Sequence, residues 1–331
     1  MTSSPCRPGA DTAAPLPTGG PGAGAATARE PRTAPALPVR AVAWARALRP
    51  RQWLKNALVL AAPAASGAVL HPGALARALE GVVVFVAASS AIYLLNDVVD
   101  READRVHPRK RSRPVASGII SPPEALAVGA ALAAAALAGG FSLGTGTGTV
   151  LAAYLVVSAA YSLYLKRAPF VEMACVASGF TLRAVAGGTV VHVALSGWFL
   201  VAVSASALLI VAGKRTSEQE SLEERRAAHR AVLGRYPREV LTALRLGAVT
   251  VSVATYALWA VYRATGTQGG APEGRVWFAL SIVPFSLAVL LVERAIKSGR
   301  GGEPEEIALS DRALQGTSLA WVATLLLAVY L

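Results

Sequence analysis

Asn96, Asp97, Asp100 and Asp104 lie in the stretch LLNDVVDREADRVHPRKRSRP, residues 94–114, which goes on to supply Arg109, Lys110, Arg111 and Arg113. An amide and carboxylates are hard-oxygen ligands, and on a helix positions four apart drift by only about 40°. The spacing therefore predicts Asn96, Asp100 and Asp104 on one face, with Tyr93 a turn earlier and Asp97 pointing elsewhere as a supporting acid. Mg2+ prefers such ligands, keeps several waters and binds substrate phosphates. Carboxylates at a helix C-terminus oppose the helix dipole and call for cations nearby. The next segment, stiffened by Pro108 and Pro114, provides them. Carboxylates for a metal beside cations for phosphate point to a bound diphosphate. The alternative is a helix end with solvated charges.

Further cations stand where an apolar helix should avoid them. Lys55 opens one apolar segment in RPRQWLKN, Lys166 ends another in YSLYLKR, and Lys214 ends a third in LLIVAGKR. Each could simply snorkel to an interface. Arg183 lies mid-segment in ASGFTLRAVAGG, and an Arg at that depth is a functional residue by default. Its alternative is an internal pair with Glu172, eleven residues earlier, on the same face but out of direct reach. No nucleophile constellation accompanies these groups. His71, His107, His192 and His229 are scattered, and Cys6 and Cys175 make neither a disulfide framework nor a metal site.

The elements that must position these residues follow from composition. The chain is 54% hydrophobic and only 16% charged over 331 residues, which excludes an ordinary soluble domain and predicts an all-α, polytopic membrane protein. Apolar segments near 53–71, 79–100, 122–143, 147–165, 170–190, 194–213, 239–262, 275–294 and 313–331 predict a bundle of about nine transmembrane helices, the first interrupted by Pro63. Lys and Arg concentrate in alternate connections, with only Arg77, Arg263 and Arg275 in the others. That asymmetry predicts a cytoplasmic N-terminus and an external C-terminus. Residues 1–39, rich in Ala, Pro, Gly and Thr without an apolar run, are expected to be a disordered cytoplasmic tail rather than a signal peptide, leaving 40–331 as the membrane domain. The net charge of +12 is accounted for by membrane-flanking loops, so nucleic acid is not an expected partner, and a homo-oligomer is allowed but not required.

The pattern N-D-x-x-D-x-x-x-D at a helix end before a basic loop resembles the first aspartate-rich motif of the UbiA-type intramembrane prenyltransferase superfamily. From about Leu48 onward, LRPRQWLKNALVLAAP, SGFTLRAVAGG, VAGKR and GEPEEIALSDRALQ look like its decaprenyl-phosphate phosphoribosyltransferase branch. The resemblance implies a UbiA-like bundle and an Mg2+-dependent transfer of 5-phosphoribosyl from phosphoribosyl diphosphate to a polyprenyl phosphate, towards arabinofuranosyl lipid donors for cell-wall polysaccharide. It places catalysis on Asp100, Asn96 and Asp104, and the metal on Asn96 and Asp100 supported by Asp97 and Asp104. Donor phosphates fall to Lys55, Tyr93, Lys110, Arg113 and Lys166, and the lipid phosphate to Lys110, Lys166, Arg183 and Lys214. One departure stands out. Where the superfamily carries a second motif, D-x-x-x-D, this chain has FVEMACVAS, with Glu172 as its only acid and Val176 at the second position. That favours phosphoribosyl transfer over prenylation of an aromatic acceptor. A transporter, the rival of another class, would explain charges within the membrane but usually shows interrupted helices at the midplane, whereas here the charges gather at one face, the one expected to be cytoplasmic.

Overall fold

The computed structural model describes residues 37–226, 236–265, 272–302 and 304–331. The tail expected over 1–39 lies outside the described residues up to position 36, as do His229, Arg230 and Arg235 of the expected basic loop. Among the described residues all regular structure is helical.

A short helix α1 (Leu37–Ala47) leads into a 3-10 helix (Pro50–Leu60) and α2 (Ala61–Ala65). Then follow α3 (Pro72–Val99), α4 (Arg101–Val106), α5 (Pro122–Leu143), α6 (Thr145–Leu163), α7 (Val171–Val190), α8 (Gly197–Arg226) and α9 (Arg238–Thr265). The chain closes with α10 (Pro272–Leu280), α11 (Ile282–Lys297), α12 (Pro304–Ser310) and α13 (Arg312–Tyr330). Local chemistry sets the boundaries. Proline occupies the first turn of α3 and α5, where its missing N–H costs nothing. Ser121 and Glu124 form a reciprocal capping box at the start of α5. Asp311 caps α13 by accepting from the Leu314 N–H at 3.1 Å, and that bond, with Arg300 nearby, holds its carboxyl below the usual range.

Among the described residues eight helices are long and apolar enough to cross a membrane, with α10 and α11 counted as one because Ser281 carries the hydrogen-bond ladder between them. The first expected span is not among these eight; it is a broken segment that runs between the two ends of the bundle. At one end Arg49 is ion-paired to Asp97; at the other Gly67, at φ +80°, lies against Val329 and Tyr330 of α13. Between them the 3-10 helix of 11 residues covers about 22 Å at its steeper rise. Irregular backbone at this depth survives only when protein covers it. Asn56 and Val59 are fully buried, and Gly187 of α7 admits the Val59 carbonyl where any Cβ would collide. The core of this half gathers Val59, Phe85, Leu151 and Tyr154.

Successive helices alternate in direction, so the helix ends at 99 and 122, 163 and 171, 226 and 238, and 297 and 312 lie at one end of the bundle, called here the acidic end, and those at 143 and 145, 190 and 197, and 265 and 272 at the other. The cation asymmetry read from the sequence maps onto these ends. Arg77, one of the few cations at the far end, caps two helices there, donating to the carbonyls of Val190 (3.1 Å) and Leu143.

Candidate active site

The acids sit where α3 gives way to α4. Asp100 leaves helical geometry (φ −89°, ψ 2°), yet the i to i−4 bonds persist through the bend, Asp100 N–H to Asn96 O at 2.9 Å and Asp104 N–H to Asp100 O at 2.8 Å. The four side chains sort into two pairs. Asp97 and Asp104 are 2% and 3% exposed. Both are neutralised: Arg113 Nη1 lies 2.6 Å from Asp104 and 3.4 Å from Asp97, and Arg49 also pairs with Asp97. Asn96 and Asp100 are only half-buried, with Asp100 ion-paired to Lys166 and the Asn96 amide without a partner among the described residues. Asp104 therefore does not join Asn96 and Asp100 as the four-residue spacing predicted. Eight residues rotate a side chain by about 80°, whereas the seven from Asp97 rotate it by only about 20°.

No three His, Cys, Asp or Glu side chains gather into a ready-made metal cage among the described residues. The unpartnered Asn96 amide and the half-buried Asp100 carboxylate still offer two oxygens one turn apart. That set fits Mg2+ in its usual mode, in which water and substrate phosphate complete the octahedron.

The cations divide by depth. Arg113 and Lys166 reach the acids directly, and Lys110 is exposed on the adjoining turn. Tyr93 donates to Gln52 at 3.4 Å and lies under the Arg49 guanidinium at 4.8 Å. Lys214 is exposed at the acidic end of α8 and pairs with nothing among the described residues. Arg183, by contrast, is 5% exposed in the core. Its Nε donates to Asn56 Oδ1 (2.8 Å), Nη1 to Gly179 O (2.7 Å) and Nη2 to the Tyr154 hydroxyl (3.0 Å), all neutral acceptors. Lys55 shares its neighbourhood: both cations lie over the Phe180 ring, at 5.9 and 6.0 Å. The structure thus separates Arg183 from Lys214 and joins it to Lys55.

Glu172 does not pair with Arg183. It is buried at the start of α7, ion-paired to Arg215, and accepts from the Tyr236 hydroxyl at 2.8 Å. Burial, and then this bond to a carboxylate, pushes the Tyr236 phenol up to about 12. Phe170, at φ 64°, turns its N–H onto the same hydroxyl at 3.4 Å. Arg49, Asn56, Tyr154, Arg215 and Tyr236 escaped the sequence reading. Arg49 and Asn56 stand at the two ends of the RPRQWLKN segment singled out for Lys55, and Arg215 ends the LLIVAGKR segment singled out for Lys214, while Tyr154 and Tyr236 left no signal.

A profile of the UbiA prenyltransferase family matches residues 57–310. The chain belongs to that family. This UbiA-family transferase is 42% identical over 283 residues to the decaprenyl-phosphate phosphoribosyltransferase of Mycobacterium tuberculosis, covering 84% of this chain and 91% of the relative. It is 39% identical over 292 residues to the enzyme of that name from Corynebacterium glutamicum, covering 86% of each. Among solved structures, a UbiA homolog from Archaeoglobus fulgidus bound to GPP and Mg2+ superposes with a TM-score of 0.65 at 18% identity, over 87% of this chain and all of the other. A digeranylgeranylglyceryl phosphate synthase superposes at 0.61 with 14% identity, over 88% of this chain and all of the other. At such identities the likeness is one of fold.

Proposed function

We propose that this UbiA-family enzyme transfers the 5-phosphoribosyl group from phosphoribosyl diphosphate to a polyprenyl phosphate, releasing diphosphate, at the cytoplasmic membrane face. The observation that carries this reading is the engagement of Glu172 by Arg215 and Tyr236. The acid at the second-motif position is spent on the protein itself, which leaves one oxygen pair, the unpartnered Asn96 amide and the half-buried Asp100 carboxylate held by Lys166, among surplus cations. Such a site suits one metal-bound diphosphate beside an anionic acceptor better than a prenyl diphosphate held between two acidic motifs. The names of the relatives support the same choice.

In this reading Asn96 and Asp100 would hold Mg2+, which when bound offsets charge on the departing diphosphate. Lys166 exchanges Asp100 for a diphosphate oxygen, and Lys110 adds charge from the loop. Arg113 keeps Asp97 and Asp104 neutralised, so the acidic helix end does not repel the donor. The bond from ribosyl C1 to the diphosphate oxygen breaks, with its electron pair leaving on diphosphate, while C1 gains oxocarbenium character. An anionic oxygen of the acceptor phosphate, drawn to Lys214, forms the new bond to C1. That oxygen carries no proton, so no general base is required. Lys55 and Arg183 supply positive potential deeper in the bundle. The cytoplasmic assignment rests on the cation excess at the acidic end. The place upstream of arabinofuranosyl lipid donors rests on the family resemblance.

The test is transfer of radiolabel from phosphoribosyl diphosphate into organic-extractable lipid by the purified protein with polyprenyl phosphates. Label appearing only with both substrates and Mg2+ is expected. Prenylation of an aromatic acceptor from a prenyl diphosphate, with no label in lipid, would overturn the reading.

A further inference from the structure

The acidic end carries cations that the active site does not use. Arg40, Arg105 and Arg113 are paired, with Glu124 at 2.7 Å, Glu102 at 3.0 Å and Asp104 at 2.6 Å, and Arg49 is paired with Asp97. Arg46, Arg109 and Arg111 are exposed and enter no ion pair among the described residues. Arg46 lines an apolar groove of about 340 Å³ between α1 and the segment that follows the basic turn, with Val39, Val42, Pro114 and Ile119 among its lining and Ser112, which directly follows Arg111, as its other polar member. Ser112 ties the turn together by donating to the Arg109 carbonyl at 3.1 Å.

Helix α1 has 11 residues, none acidic, and at about 16 Å is too short to span a bilayer. One face is occupied: Ala43 and Ala47 pack with Leu94, Val115 and Ile120. The other is apolar and open, with Val39 48% and Val42 53% exposed. A short helix that shows an apolar face beside unpaired cations has the composition of an element lying in a membrane interface.

We propose that α1 and the 109–112 turn form a binding site for an anionic phospholipid of the bilayer, its acyl chain along the α1 groove and its phosphate on Arg46, Arg109 and Arg111. An apolar trough with Arg46 in its wall, and Arg109 and Arg111 on the turn that contributes Ser112 to it, all three without an ion pair among the described residues, matches a ligand that is anionic at one end and apolar along its length. The acceptor polyprenyl phosphate is a poorer match, because Lys166 and Lys214 lie on the α6–α7 connection and α8, whereas the groove flanks α3 and α5. A second copy of the chain is poorer still, since a two-fold contact would set these cations against their own counterparts.

The experiment uses the full chain with Cys6→Ala and Cys175→Ala and a nitroxide on Val42→Cys, reconstituted in phosphatidylcholine vesicles with or without phosphatidylglycerol as a third of the lipid. Collision rates with oxygen and with a water-soluble nickel chelate report immersion. We expect oxygen to dominate, immersion to deepen with phosphatidylglycerol, and that deepening to vanish when Arg46→Gln, Arg109→Gln and Arg111→Gln are combined. Full access of the nickel chelate in both vesicles would refute an interfacial α1. Equal immersion in both lipids would refute an anionic ligand. Dipolar broadening between labels would mean that a second copy covers the groove, and would overturn the proposal. Because no outcome reads transferase activity, the site stands or falls apart from the proposed reaction.

Discussion

Arg113 donates to Asp104, Nη1 to Oδ2 at 2.6 Å, and the same nitrogen lies 3.4 Å from Asp97. One guanidinium thus balances two buried acids that face the same side of the α3–α4 bend. Arg113→Gln should lower stability by about 3 kcal/mol, the lower end for removing one partner of a buried pair, because Arg49 still serves Asp97. Thermal unfolding in detergent checks this. An unchanged melting temperature would mean that the two acids are neutralised some other way.

Asp100 is the half-buried acid that can leave its partner. Asp100→Asn should cut turnover by at least about a hundredfold, roughly 2.7 kcal/mol in the barrier, with little change in melting temperature. Chelation with EDTA should abolish wild-type transfer and added Mg2+ should restore it. Full activity in metal-free buffer would end the metal assignment.

Glu172 is read as a tie between α7, α8 and Tyr236, not as a second metal ligand. Glu172→Gln or Tyr236→Phe should each cost about 1–3 kcal/mol of stability, the range for hydrogen bonds involving a charged group or its orphaned partner. The Mg2+ concentration giving half-maximal activity should stay at the wild-type value. A large rise in that concentration for Glu172→Gln would restore a metal role.

Lys214 and Arg183 should part company. Lys214→Ala removes an exposed cation with no partner among the described residues, so it should weaken kcat/KM for the lipid acceptor tenfold or more, about 1.4 kcal/mol, without loss of stability. Arg183→Lys breaks the planar fork to Asn56, Gly179 and Tyr154, so it should lower the melting temperature as well as activity. Equal effects on stability would show that burial does not distinguish the two.

A cysteine replacing Ser112, on the exposed basic turn, should react with a membrane-impermeant maleimide only from the cytoplasmic side. Labelling of intact cells from outside would invert the assigned orientation.

Features that depend on neighbouring residues along the chain were legible beforehand. The apolar run ending at Asn96 and Asp97, the alternation of cation-rich connections and the oxygen pair Asn96–Asp100 needed only hydropathy and the 3.6-residue period. The break in the first expected span showed in part, as Pro63, but its 3-10 form did not. That depends on cover from α3 and α7 and on Gly187, over a hundred residues away, admitting a carbonyl.

The sequence by itself determined that this chain is an all-helical, polytopic membrane protein with its cations gathered in alternate connections, because length, apolarity and charge are local quantities that a bilayer reads segment by segment. Only the tertiary structure decided which charges remain available. Arg49 meets Asp97 across 48 residues, Lys166 meets Asp100 across 66, and Tyr236 meets Glu172 across 64. Where one turn can reach a partner, spacing predicts the pair. Where the partner sits on another helix, only the packing of the bundle determines whether a carboxylate is spent on an arginine or left open to a ligand.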